Sequence, residues 1–130
     1  MIVVDSNVWI FAESENAPEH ALAVNVLQRR LGEGLAINSV IFSEVFHHLK
    51  RIFGSVAKER VAQIIRHPLV QWLDFGKEDA LAAMDLAHTH ELKINDAMIA
   101  RQALEEGVAV LTDNIKDFRK VRGLKVVPLQ

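Results

Sequence analysis

The sequence contains no cysteine, three prolines and six glycines among 130 residues, and only 6% of it is aromatic. Without cysteine there is no disulfide, cysteine–zinc finger, iron–sulfur cluster or thiol nucleophile. So little glycine and proline excludes a collagen-like or low-complexity chain. No apolar run approaches the ~20 residues of a membrane span, and the opening residues lack the pattern of a signal peptide. We therefore expect one soluble domain over residues 1–130, located in the cytoplasm and not bound to a membrane.

The charges show no large excess of either sign. Fifteen Lys and Arg are balanced by seventeen Asp and Glu, which gives a net charge of −2 with neutral histidines. A generic polyanion-binding protein would be basic. If this chain acts on nucleic acid, part of its acidity must therefore serve a separate purpose.

Half of the residues are apolar, and their spacing alternates between strand and helix patterns. Continuously apolar, β-branched runs predict buried strands at 2–4, 108–111 and 125–127, with weaker candidates at 35–37 and 70–73. Helical spacing predicts helices at 18–30, at 40–53 with Ser39 as N-cap, and at 56–66, 77–90 and 95–106. The alternation predicts an α/β fold, with three α/β/α layers around a central parallel sheet of four to five strands.

Acidic residues stand where strands end or helices begin. Asp5 follows the first strand, and Asp113 follows a later one. Asp96 starts an apolar helix face, where an unpaired charge would be costly unless it bound a metal ion. Glu44 lies near the start of another helix, but on its polar flank, so that periodicity alone makes it a solvated acid. Because functional groups gather at the carboxyl edge of a parallel sheet, we expect these four acids to lie close together.

Carboxylates gathered at one edge repel each other, and a hard divalent cation such as Mg²⁺ or Mn²⁺ relieves the repulsion. Such an ion can activate a water molecule toward a phosphodiester. Setting the four acids aside leaves fifteen basic against thirteen acidic residues, so the overall charge no longer argues against RNA. For each acid considered alone, the alternative to a metal-binding role is a structural one, the capping of a helix or a turn. Four polar neighbours are candidates for orienting ligands or substrate: Ser6, Asn7, Thr112 and Asn114.

Four ordered segments resemble PIN-domain ribonucleases, especially the VapC toxins of toxin–antitoxin pairs. The order and spacing of the segments agree with that family over essentially the whole chain. The segments are Ile2-Val3-Val4-Asp5-Ser6-Asn7-Val8, Ser43-Glu44, Asn95-Asp96-Ala97-Met98-Ile99-Ala100 and Val110-Leu111-Thr112-Asp113-Asn114-Ile115-Lys116-Asp117-Phe118.

This resemblance implies an endoribonuclease that depends on Mg²⁺ or Mn²⁺, in which a metal-activated water hydrolyses RNA. It implies a metal-binding and catalytic role for Asp5, Glu44 and Asp96. It also implies a homodimer and an antitoxin protein that inhibits the activity.

The fourth acidic position departs from the family pattern. Many relatives have Asp where this chain has Asn114, so the fourth acid must come from a neighbour. Asp113 is the first candidate as a catalytic and metal-binding group because it stands nearest the strand end. Asp117 is the second candidate, with an orienting role as its alternative.

Basic and aromatic residues give weaker indications. Five cations could contact RNA phosphates, although basic runs are commonly solvated faces. Trp9 and Trp72 are expected in the core or an interface, and His47-His48 at the surface. The five cations are Lys50, Arg51, Lys116, Arg119 and Lys120.

Two other functions are compatible with parts of this pattern. One is a PIN-fold module that binds a partner but has little or no activity. The other is an aspartate-based phosphatase or receiver domain, which also places Asp after the first strand. The segment Asp5-Ser6-Asn7 lacks the Asp-x-Asp that a haloacid-dehalogenase-like phosphatase needs.

Overall fold

The computed structural model covers residues 1–130 and contains five strands and seven α-helices. The strands are β1 (Ile2–Val4), β2 (Leu35–Asn38), β3 (Val70–Leu73), β4 (Val110–Leu111) and β5 (Val126–Val127). The helices are α1 (Ser6–Glu13), α2 (His20–Arg30), α3 (Ser39–Phe53), α4 (Val56–Arg66), α5 (Lys77–His90), α6 (Ile94–Glu106) and α7 (Ile115–Phe118). None of them is long and apolar enough to cross a membrane.

The five strands form one parallel sheet in the order β3-β2-β1-β4-β5. Every residue of β1 and β2 is buried, as expected for central strands with helices on both faces. Helix α6 packs on β1 and α5, while α1 packs on α2 and α3. The predicted three-layer α/β/α fold is therefore confirmed.

The structure differs from the sequence prediction at several element boundaries. The N-cap of α3 is Asn38, not Ser39, because the extended backbone of Asn38 lets its Oδ1 accept the N–H of Ile41 at 3.0 Å. The fourth strand is shorter than 108–111, and the helix predicted from residue 18 begins at His20. The prediction also omitted α1 and α7, which are short helices that directly follow β1 and β4.

The two tryptophans have different environments. Trp9 is 5% exposed, and its Nε1 donates to the carbonyl oxygen of Val4 at 3.2 Å. Trp9 is thus a core residue. Trp72 lies on the edge strand β3, where it packs edge-on against Phe42 but stays 45% exposed.

The strand order creates a crevice at one edge of the sheet. From β1 the chain builds outward through β2 and β3, then crosses to the other side of β1 with β4. The carboxyl ends of β1 and β4 therefore lie side by side at the point where the winding reverses, which is where α/β sheets bind ligands. Asp5 and Thr112 are the residues that directly follow these two strands.

Candidate active site at the carboxyl edge of the sheet

Asp5 joins the two sides of the crevice. Its carboxylate is almost fully buried and caps α1, since Oδ1 accepts the backbone N–H of Ser6 at 2.7 Å. Its other oxygen, Oδ2, accepts the hydroxyl of Thr112 at 2.7 Å. The carboxylate is therefore fixed by one group from α1 and one from the end of β4.

Burial raises the pKa of Asp5 from 3.8 to about 6. The hydrogen bonds from Thr112 and Ser6 favour the ionised form and oppose this rise, while the negative charges of Asp96 and Glu44 add to it. The electrostatics thus indicate that three carboxylates lie close enough to repel one another.

Glu44 reaches the site although its polar helix flank predicted a solvated residue. It is half-buried because α3 packs against both α1 and α6. Its Oε1 accepts the hydroxyl of Ser6 at 3.0 Å, and its Oε2 accepts the Nδ2 group of Asn95 at 3.3 Å. Neighbours on two other helices therefore hold the carboxylate of Glu44.

Asp96 stands in the first turn of α6 and is half-buried. Burial raises its pKa, the negative charges of Glu44 and Asp117 raise it further, and Lys93 lowers it. Its Oδ2 accepts a long hydrogen bond, 3.5 Å, from the Nδ2 group of Asn114. The predicted partly buried acid on this apolar helix face is thus present.

The segment after β4 contributes Asn114 and Asp117 to this network rather than the side chain of Asp113. Asp113 is exposed, and its backbone N–H donates to Oδ1 of Asn7 at 3.3 Å. The short helix α7 turns Asp117 back over Asn114, whose Nδ2 group donates to Asp117 Oδ2 at 3.1 Å. This hydrogen bond and those from Lys120 hold the pKa of Asp117 below its usual value.

The acidic side chains are linked through hydroxyl and amide groups instead of converging on one point. No three Asp, Glu or His side chains of this chain lie close enough together to coordinate a single ion. The chemistry nevertheless fits a hard divalent cation, because the ionisable groups of the network offer only oxygen donors and repel one another. Coordination of one ion by three of them would require side-chain rotation.

The five predicted RNA-contacting cations are all exposed, but they stand in two separate places. Lys50 and Arg51 lie in the last turn of α3, whereas Lys116, Arg119 and Lys120 lie on or after α7. Lys120 forms an ion pair with Asp117 at 3.3 Å, which ties it to the acidic network.

Sequence reasoning missed three residues near the site. Asn95 binds Glu44, and its position directly before Asp96 at the start of α6 was the available signal. His47 and His48 line a cavity of about 520 Å³ beside Glu44. They lie one turn beyond Glu44 on α3, and this spacing was the available signal. The sequence prediction places them only at the surface and does not connect them with Glu44.

The family model for the PIN domain matches residues 2–124. The chain belongs to the PIN domain family. The match covers all of the acidic network described above, from Asp5 to Asp117. The family predicted from the four sequence segments is therefore confirmed.

Several solved structures share the fold of this chain. A chain of the VapBC2 complex of Rickettsia felis, bound to a promoter DNA fragment, has a TM-score of 0.79 at 19% identity, covering 98% of each chain. The sarcin-ricin loop cleaving toxin VapC20 of Mycobacterium tuberculosis has a TM-score of 0.76 at 18% identity, covering 85% of this chain and 87% of that one. A chain of a toxin-antitoxin complex of Klebsiella pneumoniae has a TM-score of 0.75 at 22% identity, covering 100% of this chain and 98% of that one.

At such identities the solved structures establish the shared fold, which extends over nearly the whole PIN domain. A comparison with curated proteins found no sequence match. The family match does not favour the aspartate-based phosphatase or receiver domain.

Proposed function

We propose that this PIN domain is an endoribonuclease that depends on Mg²⁺ or Mn²⁺ and hydrolyses RNA phosphodiesters. The observation that carries the proposal is the cluster of Asp5, Glu44 and Asp96 at the carboxyl edge of the sheet. The pKa of Asp5 and that of Asp96 are raised by burial and by neighbouring negative charge, as expected where acids are gathered for a cation.

The residues divide into ligands and the groups that hold them. Asp5, Glu44 and Asp96 would hold the ion, with Asp117 or Asp113 as the fourth acid. When bound, such an ion lowers the pKa of a water molecule and stabilises charge on the phosphoryl oxygens.

The remaining polar groups keep the acids oriented. Ser6 and Thr112 donate to Asp5 and favour its ionised form. Asn95 presents Glu44, and Asn114 separates Asp96 from Asp117 by donating to both. These donors hold the carboxylates in defined orientations at the edge of the sheet.

The first experiment measures cleavage of RNA with Mg²⁺ or Mn²⁺ and with chelator. Wild type should cleave only with metal, and Asp5→Asn or Asp96→Asn should lower the rate by about a hundred-fold or more, since metal stabilisation supplies several kcal/mol. Asp85→Asn, which changes an exposed acid on α5, should cleave normally. Equal cleavage by wild type and both site variants would indicate a contaminating nuclease and reject the proposal.

We also propose that the protein is the toxin of a toxin–antitoxin pair, acts in the cytoplasm and forms a homodimer. Support comes from similar solved structures that are described as toxin–antitoxin complexes. A protein encoded beside this gene should co-purify with the PIN domain and inhibit its cleavage of RNA. Failure of every adjacent gene product to bind would count against the toxin assignment.

A PIN fold that binds a partner without cleaving RNA is the second candidate. Two observations favour it: no three acids converge on one point, and Asn114 stands where many relatives have an acid. Calorimetric titration with Mn²⁺ separates the candidates. Absence of binding at millimolar Mn²⁺ would support the inactive module.

A further inference from the structure

A polar cleft between α1 and α3 continues from the acidic network. Its volume is about 520 Å³, within the ~300–1,000 Å³ typical of small-ligand sites. Two of its nine lining residues are hydrophobic, Ile10 and Phe11 on α1.

One face of α3 forms a long side of this cleft. Glu44, His47, His48 and Arg51 follow the spacing i, i+3, i+4 and i+7, so they lie along one face of the helix. Glu44, His47 and His48 line the cleft, and Arg51 lies beyond this lining, one turn farther along the same helix face. The rings of His47 and His48 have centroids 6.3 Å apart and planes at 81°, so one ring can stack on a base while the other meets its edge.

We propose that this cleft binds one nucleotide of single-stranded RNA next to the scissile phosphate. Its base would contact the rings of His47 and His48, and its backbone would run toward Arg51. This inference rests on the proposed nuclease function, because the acidic network fixes which end of the cleft holds the reacting phosphate.

The chemistry of the lining favours a nucleotide over a peptide helix. An amphipathic helix docks through a row of apolar side chains, and this cleft has too few apolar residues to receive one. Exposed imidazoles are flat surfaces on which unpaired bases stack. The Oδ1 of Asn7 already accepts the N–H of Asp113, which orients the amide so that its Nδ2 group can donate to a base.

The test measures RNA binding in chelator, where metal-dependent cleavage cannot occur. A short fluorescein-labelled single-stranded RNA of mixed sequence is titrated with full-length protein, and anisotropy gives Kd. Because base–ring stacking is worth about five-fold or more in affinity, His47→Ala with His48→Ala should raise Kd at least about five-fold. His88→Ala, a change of an exposed histidine on α5, should leave Kd unchanged. Phenylalanine at both positions should restore affinity, since it keeps two flat rings.

Photocrosslinking locates the contact independently of affinity. A 4-thiouridine-containing version of the same RNA should crosslink to peptides that contain residues 6–11 and 43–48. An unchanged Kd for the double alanine variant, or crosslinks found only elsewhere, would overturn the proposal. So would a double variant that keeps RNA affinity but loses binding to the antitoxin, since the cleft would then be a protein site. Binding that follows these expectations in a protein that fails to cleave RNA would support the cleft and reject the nuclease.

Discussion

Thr112 supports the site by linking the carboxylate of Asp5 to the backbone N–H of Asn114. Its hydroxyl donates to Oδ2 of Asp5 at 2.7 Å and accepts the backbone N–H of Asn114 at 2.9 Å. The residue is completely buried, so water cannot replace either hydrogen bond. One side chain therefore fixes both the central carboxylate and the start of the segment that contains Asp117.

Thr112→Val keeps the shape of the side chain and removes its hydroxyl. We expect the free energy of unfolding to fall by about 1–3 kcal/mol, because the buried carboxylate of Asp5 loses a donor and the half-buried N–H of Asn114 loses its acceptor. We also expect Mn²⁺ affinity to fall about ten- to a hundred-fold, as is usual when a group that orients a metal ligand is removed. Urea denaturation and calorimetry measure the two effects. Thr112→Ser retains the hydroxyl and should bind Mn²⁺ nearly as wild type does; equal affinity of the valine variant would contradict the orienting role.

The raised pKa of Asp5 makes the stability of the metal-free protein depend on pH. The pKa of this carboxyl group is about 6 in the folded protein, and its ordinary value of 3.8 applies to the unfolded chain. Between these values the folded protein keeps a proton that the unfolded chain has released. The contribution of Asp5 to stability therefore decreases as the pH rises from about 4 to about 6.

Comparison with Asp5→Asn isolates this effect, because the variant cannot titrate at residue 5. From pH 4 to pH 7.5, wild type should lose up to about 3 kcal/mol of unfolding free energy relative to the variant in chelator. Above pH 6, Mg²⁺ should restore stability to wild type more than to the variant. Urea denaturation at several pH values provides the measurement, and parallel pH profiles in chelator would contradict the shift.

Helix α3 depends on buried polar contacts at its start to place Glu44. Asn38 caps the helix through Oδ1, while its Nδ2 group donates to Oε1 of Gln102 on α6 at 3.2 Å. The Nε2 group of Gln102 donates to the carbonyl oxygen of Asp74, just after β3. The two side chains thus connect three neighbouring elements behind the acidic network.

Gln102→Leu should lower the free energy of unfolding by about 1–3 kcal/mol, because the Nδ2 group of Asn38 stays buried without an acceptor. Thermal or urea denaturation measures the change. Gln63→Leu on α4 alters an exposed glutamine and should change stability by no more than about 0.5 kcal/mol. Similar losses of unfolding free energy in the two variants would show that the buried hydrogen bonds of Gln102 do not stabilise the protein.

Local patterns predicted the elements better than they predicted the site. The apolar runs of β1 and β2 identify buried strands because both faces of a central parallel strand are covered. Periodicity assigned Glu44 to solvent, since one helix in isolation does not reveal that α1 and α6 cover its flank. The choice between Asp113 and Asp117 depended on α7, a four-residue helix too short for any periodic signal.

At the scale of the whole molecule, two exposed apolar side chains on α5 are candidates for the interface of the proposed homodimer. Leu81 and Met84, one turn apart on α5, are 48% and 55% exposed. Helix α4, by contrast, has Ala57 and Val61 buried in the core. A dimer interface is therefore better sought on α5.

Leu81→Glu combined with Met84→Glu should convert the proposed homodimer into a monomer, because charges buried in an apolar interface are costly. Light scattering coupled to size-exclusion chromatography measures the mass. Ile52→Glu changes an equally exposed apolar residue on α3 and should leave the dimer intact. A dimeric double variant would place the interface elsewhere.

The hydrogen bond between Asp5 and Thr112 spans 107 positions of the chain. The backbone N–H of Thr112 also donates to the carbonyl oxygen of Val127 in the edge strand β5, at 3.0 Å. This edge of the sheet therefore cannot be complete until both Thr112 and the residues of β5 have been synthesised, although Asp5 leaves the ribosome early. A nascent chain that has not yet reached residue 112 lacks the hydroxyl that holds Oδ2 of Asp5, so the carboxylate has only its contacts with Ser6 at that stage.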